Sequence, residues 1–214
     1  MQDKKKILLV EGYNDKGVIE QVLNAYGINL DIEIKVCKGV DGMPDELRLH
    51  LKNPSAYSVV AVIADADTNT DSRWQQIRNV LHDTGLYKCN RLPLSPEGAV
   101  LSSVDPDISL KAGAWIMPNN EYPGTLEDFL LDMIPIEDEL MVEVENKLLD
   151  LESQCKQRYA VKDRNKAKVQ TYIAWEHKPG ISVATAVKSR ILNPHTPTAD
   201  KFVEWIKEIF EVCQ

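Results

Sequence analysis

Along the first half of the chain, apolar positions come either in unbroken runs or at helical spacing. In "KKILLVEG" four apolar residues stand together before Glu11, the pattern of a strand covered on both faces. "DKGVIEQVLNAYG" then puts Val18, Ile19, Val22 and Leu23 on one helical face, with Gly27 as its stop. "DIEIKVCKG" alternates with period two and predicts a second strand, and "MPDELRLHLKN" a short helix starting near Pro44. "YSVVAVIADAD" is a further buried strand, and "DSRWQQIRNVLHDTG" a helix capped by Thr70 or Asp71. This β-α-β-α-β-α rhythm predicts an α/β fold with a mostly parallel, doubly wound sheet.

"LSPEGAVLSSVDPDISLKAGAWIMP" adds two short strands around a Pro/Asp-rich turn, and "TLEDFLLDMI" a helix with Thr125 as N-cap. After Pro135 the pattern turns wholly helical: "IEDELMVEVENKLLDLESQCKQRYA", "RNKAKVQTYIAWEHK", "ISVATAVKSRIL" and "TADKFVEWIKEIFEVC". The expected organisation is an α/β domain over residues 1–135 and a helical extension over 136–214, packed on it.

Composition narrows the classes. With 43% hydrophobic and 27% charged residues over 214 positions, the chain reads as an ordinary globular protein. Its apolar runs are strand-sized, below the ~20 residues of a membrane span. The lysine-led start has too short an apolar stretch for a secretory signal. Cys37, Cys89, Cys155 and Cys213 are scattered, and His50, His82, His177 and His195 show no ligand spacing, so reduced thiols in a cytoplasmic protein are expected, without zinc. The net charge of −8 hides an asymmetry. Lys156 to Arg190 holds nine Lys/Arg against Asp163 and Glu176, a balance of +7 beside an acidic remainder.

The chemistry gathers where strands end. The first strand closes on Glu11 and the third on Asp65 and Asp67, and in a doubly wound sheet functional groups collect at such carboxyl ends. Alternate residues of a strand face one way, so Asp65 and Asp67 are expected to share a site. Neighbouring strands would bring Glu11 to them. Anions so close raise one another's pKa unless a cation balances them. Hard oxygen donors without His or Cys select Mg²⁺ or Mn²⁺. The structural alternative is capping: Asp67 or Asn69 for the third helix, Asp15 for the first.

"LLVEGYND" followed by "VVAVIADADTN" resembles the TOPRIM fold of topoisomerases, bacterial primases and OLD-type nucleases. The later "MPNNEYPGTLEDFLL" and the basic helical tail resemble small standalone TOPRIM-like proteins. The resemblance covers roughly residues 5–135. It implies a Mg²⁺ or Mn²⁺ site with Glu11 as acid-base or metal-binding group and Asp65 and Asp67 as metal ligands. It implies further metal-site acids at Asp15 and Glu127, and a transition-state lysine among Lys166, Lys168 and Lys188. Glu127 has a second reading, as the N3 partner of the helix cap.

The function expected is metal-dependent phosphodiester cleavage on DNA or RNA by an OLD-like nuclease, with the basic segment holding the strand. The alternative is a non-catalytic metal- or nucleic-acid-binding subunit, working with a separate ATPase or other partner of a defence or repair assembly. No G-x-x-x-x-G-K-[ST] occurs, so no P-loop ATPase is expected in this chain. A receiver-like module is disfavoured by the Glu-Gly after the first strand and by a late strand without lysine. A haloacid-dehalogenase-type phosphatase would carry its Asp-x-Asp on the first strand. Trp74 and Trp175 are candidates for base stacking or for the core, and a homodimer is open.

Overall fold

The computed structural model describes residues 4–37, 39, 42–176 and 178–212, so the readings of His177 and Cys213 lie outside the described residues. Strands β1 (Lys5–Val10), β2 (Glu33–Val36), β3 (Tyr57–Asp65), β4 (Ala99–Ser102) and β5 (Lys111–Met117) form one sheet in the order β2-β1-β3-β5-β4. Pairings are parallel except β4 against β5, which is antiparallel.

Both faces of the central strands are apolar because both are covered. Leu8 and Val10, Ala61 and Ile63, and Trp115 and Met117 point to one core. The alternate residues Ile7 and Leu9, Val60 and Val62, and Ala114 and Ile116 point to the other. The first core is closed by α1 (Tyr13–Ala25), α4 (Leu126–Leu131), α5 (Glu139–Ser153), α6 (Arg164–Trp175), α7 (Val183–Lys188) and α8 (Pro197–Phe210). The second is closed by α2 (Met43–Leu51) and α3 (Thr70–Asp83). The fold is therefore a mostly parallel α/β sheet flanked by helices. The helices after residue 135 form part of the same core as α1 and the sheet. In α8, Phe202, Trp205 and Ile206 carry the packing, and Trp205 Nε1 donates to the Ala99 carbonyl at 3.1 Å.

Local details differ from the sequence reading. Of the caps the sequence offers for α3, the one formed is Asn69, named there as the structural alternative, whose side chain accepts from the Ser72 N–H at 2.7 Å; Thr70 and Asp71 lie inside the helix. Helix α5 stops at Ser153 rather than running toward Ala160, because Cys155 turns the chain with φ of 49°. Trp74 is core, its Nε1 donating to the Leu92 carbonyl, whereas Trp175 is half-exposed. Cys37, Cys89 and Cys155 are free thiols. Among the described residues no helix is long and apolar enough to cross a membrane.

Candidate metal centre at the sheet switch point

Strand β1 is followed by a helix on one face of the sheet, and β2 and β3 by helices on the other. Chain connections thus diverge between β1 and β3, where doubly wound sheets open a crevice at the strand carboxyl ends. Glu11 directly follows β1 and Asp65 ends β3. The Asp65 N–H donates to Glu11 Oε1 at 2.9 Å. Asp15 sits in the first turn of α1, held by the backbone N–H groups of Gly12 and of Asp15 itself. A Cβ at Gly12 would stand 3.1 Å from Asp15 Oδ2, so a side chain there would crowd the carboxylate.

Helix α4 closes the crevice. Its first N–H, from Leu126, donates to Asp65 Oδ1 at 2.9 Å. Thr125 is its N-cap, as the sequence predicts, and the capping-box partner is Asp128, whose Oδ2 accepts from the Thr125 N–H at 2.8 Å. Glu127 therefore does not fill the N3 role that the sequence left open to it. Its Oε2 accepts from Thr125 Oγ1 at 2.9 Å, and its Oε1 lies 3.4 Å from Lys166 Nζ. Gly124 is required before the cap: its φ is 148°, and an added Cβ would meet Asp128 Oδ2 at 2.8 Å. The Asn-Asn pair upstream shapes this loop. Asn120 Oδ1 accepts from the Ile116 N–H at 2.7 Å, and Asn119 Oδ1 from the Tyr122 N–H at 3.0 Å.

Glu11, Asp15, Asp65, Glu127 and Lys166 line one cavity of about 390 Å³. Asp65, Glu127 and Lys166 also line a neighbouring cavity of about 790 Å³, with Asp67, Thr68, Asp128, Lys162 and Asn165. Burial, and then the charges of Glu11, Asp15 and Glu127, push the Asp65 carboxyl up to about 8. Burial likewise raises Glu11 and Asp15 above the ordinary carboxylate range. The cavity thus sets four carboxylates against the single ammonium of Lys166.

The expected equivalence of Asp65 and Asp67 needs correction. β3 ends at Asp65, and Asp67 lies in a left-handed turn with φ of 52°, so strand alternation does not orient it. Its Oδ2 is bound by Arg73 Nη2 at 2.7 Å, while Arg73 Nε donates to the Asp65 carbonyl at 2.7 Å. Asp67 lines the neighbouring cavity and not that of Glu11 and Asp15. The lysines also separate. Lys166 faces the acids, whereas Lys168 turns to α5 and pairs with Glu145 at 2.8 Å. Lys188, exposed at the end of α7, lines neither cavity. Sequence reading passed over Arg73 and Lys162; the first stands one turn inside the helix after Asp-x-Asp, a position from which a guanidinium reaches back to the strand end.

The donor chemistry of the cavity fits a hard divalent cation: four partly desolvated carboxylates, with the oxygens of Tyr13 and Asn14 beside them, no His or Cys in the lining, and one ammonium at the rim. Oε2 of Glu11 and Oδ2 of Asp65 accept no hydrogen bond among the described residues. The side chains are not drawn into a closed shell, since no group of three His, Cys, Asp or Glu among the described residues is set to hold an ion as it stands.

Fold and site together define a doubly wound α/β protein with an acidic switch-point cavity. Residues 5–211 match a family described as protein of unknown function (DUF3226), and the chain belongs to that family. The fold is similar to the crystal structure of a hypothetical protein from Pyrococcus horikoshii OT3, with a TM-score of 0.57 and 14% identity over 97% of this chain and 95% of that one. No curated protein matches the chain.

Proposed function

We propose that the protein is a Mg²⁺- or Mn²⁺-dependent nuclease of the TOPRIM type, acting on phosphodiesters of DNA or RNA. The observation that carries the reading is the convergence of Glu11, Asp15, Asp65 and Glu127 in one cavity, with Asp65 pushed up to about 8 by burial and by its neighbours. Glu11, Asp65 and Glu127 would hold the cation, with Asp15 behind them. A bound divalent ion supplies an acidified water and charge neutralisation on the phosphoryl oxygens. A cation there would favour the ionised form of Asp65, its carboxyl proton passing to solvent. Glu11 is oriented by the Asp65 N–H through Oε1, which leaves Oε2 for the cation or for a proton. Lys166 holds a cationic Nζ at the rim, where negative charge on a transferring phosphoryl group would need it.

A second reading, a non-catalytic metal- or nucleic-acid-binding subunit, is favoured by one observation: the net charge of −8 opposes a tight hold on a polyanion by this chain alone. A cleavage assay separates the two. Supercoiled plasmid, linear duplex, and single-stranded DNA and RNA are incubated with chelator, Mg²⁺ or Mn²⁺, alongside Asp65→Asn. Metal-dependent cutting lost in the variant establishes the nuclease. No cutting of any substrate moves the binding subunit to the front.

A further inference from the structure

Tyr13, the first residue of α1, lines the cavity of Glu11, Asp15 and Lys166, yet is 83% exposed. It takes part in no ring contact among the described residues, so the fold gains little from having an aromatic there. In the neighbouring cavity Lys162 is exposed and makes no ion pair among the described residues. Asp65, Glu127 and Lys166 belong to the walls of both cavities. Tyr13 and Lys162 therefore line two adjacent cavities that share the carboxylates of Asp65 and Glu127 and the ammonium of Lys166.

We infer that the paired cavities are the path of a single unpaired nucleic-acid strand, with Tyr13 stacking a base on one side of the scissile phosphate and Lys162 contacting the backbone on the other. The inference rests on the nuclease reading of the carboxylates. An unpaired base offers a free face to the ring, whereas a base inside a duplex is already stacked above and below. Electrostatics point the same way. A duplex brings one charge per ~1.7 Å of its axis, on two strands, against the surface. This protein carries −8 and an acidic cluster at that very place. One flexible strand can lower a single phosphate row to the recessed acids, of which Asp15 is only 8% exposed.

The test separates binding from cutting. The parent chain, with Ca²⁺ in place of Mg²⁺ or Mn²⁺ to hold back cutting, serves as the background for Tyr13→Ala, Tyr13→Trp and Lys162→Ala. Each is titrated in Ca²⁺ with single-stranded DNA, single-stranded RNA and duplex of equal length, all carrying a fluorescent adenine analogue whose emission stacking quenches. Tyr13→Ala should weaken single-strand binding roughly tenfold, the loss expected for one stacked base, and abolish the quench at one position. Tyr13→Trp should keep both. Lys162→Ala should weaken binding and flatten its salt dependence. Unchanged single-strand affinity in Tyr13→Ala, duplex binding as tight as single-strand binding, or no binding of any strand overturns the inference. The nuclease reading fails on a different result, the absence of cutting by the parent protein with either Mg²⁺ or Mn²⁺. Tyr13 is exposed, so its variants should fold as the parent does.

Discussion

The backbone N–H of Asp65 donates to Oε1 of Glu11 at 2.9 Å, joining the ends of β1 and β3 through a side chain rather than through the ladder. One acid thus positions the other, and the bond works against the burial that raises the Glu11 carboxyl. Charge and architecture are separable at this position.

Glu11→Gln keeps an oxygen for the Asp65 N–H and should match the parent in denaturant unfolding to within about 0.5 kcal/mol. It should lose metal-dependent cutting by ~100-fold or more. Glu11→Ala leaves the N–H without its acceptor and should cost ~1–3 kcal/mol. Equal stability of the two variants would sink the structural half of this account.

The Asp65 carboxyl titrates at about 8, against an ordinary value of 3.8, so between those limits the folded state binds a proton that the unfolded chain has lost. Folding stability without metal should therefore fall as pH rises across that window. Asp65→Asn should be ~2 kcal/mol more stable than the parent near pH 9 in chelator and close to it near pH 4. Added Mn²⁺ should reverse the order, raising the parent's melting temperature and leaving the variant's unchanged. Parallel pH profiles in chelator would show that Asp65 is not held protonated.

Asp67 and Glu127 should differ as metal ligands. Asp67 is neutralised by Arg73 at 2.7 Å and stays outside the cavity of Glu11 and Asp15, whereas Glu127 lies within it. Calorimetric titration with Mn²⁺ should find Glu127→Gln weakened on the order of tenfold or more, and Asp67→Asn changed by less than about threefold. The reverse ranking would restore the Asp-x-Asp pair as the main ligands.

Three lysines of the basic tail can be told apart by rate. Lys166→Ala should lower cutting ~100-fold, while Lys168→Ala and Lys188→Ala should leave it within about threefold. Lys168→Ala should instead cost ~0.5 kcal/mol of stability, through its half-shielded pair with Glu145. A cutting defect confined to Lys188→Ala would move the transition-state cation to α7.

Acid should loosen the α5–α6 contact. Hydrogen bonds from Arg164 and then Lys168 hold Glu145 down at about 2, against an ordinary 4.5. A depressed folded pKa contributes stability above the ordinary value and loses it as pH falls toward the folded one. Glu145→Gln should be ~1 kcal/mol less stable than the parent at neutral pH, with the gap closing by about pH 2. A gap that persists in acid would mean lost packing rather than lost charge.

Much of this was legible before any coordinates. Unbroken apolar runs such as Ile7 to Val10 and Val59 to Ala64 demand cover on both faces, and that demand predicts a sheet between two helical layers. A carboxylate placed immediately after such a run has to leave the core at the strand's carboxyl end, so Glu11 and Asp65 could be assigned to one rim. Thr125 could be read as a cap because capping is decided within one helical turn.

What the tertiary structure alone decided concerns direction and partnership. Whether Asp67 follows Asp65 into the cavity depends on where β3 releases the chain and on Arg73 reaching back from α3, neither of which is encoded in a two-residue spacing. Lys166 and Lys168 lie about half a turn apart on α6, so pattern could place them on opposed faces, but only the packing of α6 between α4 and α5 shows which face meets the acids. Glu127 and Asp128 are adjacent acids at a helix start; counting from Thr125 makes Asp128 the N3 partner of the cap, and the packing of α4 over the end of β3 brings Glu127 to the cavity. Local sequence thus determined the elements and their ends, because those follow from hydrogen bonding and burial over a few residues. Long-range packing determined which charges meet, because that depends on distances between segments far apart in the chain.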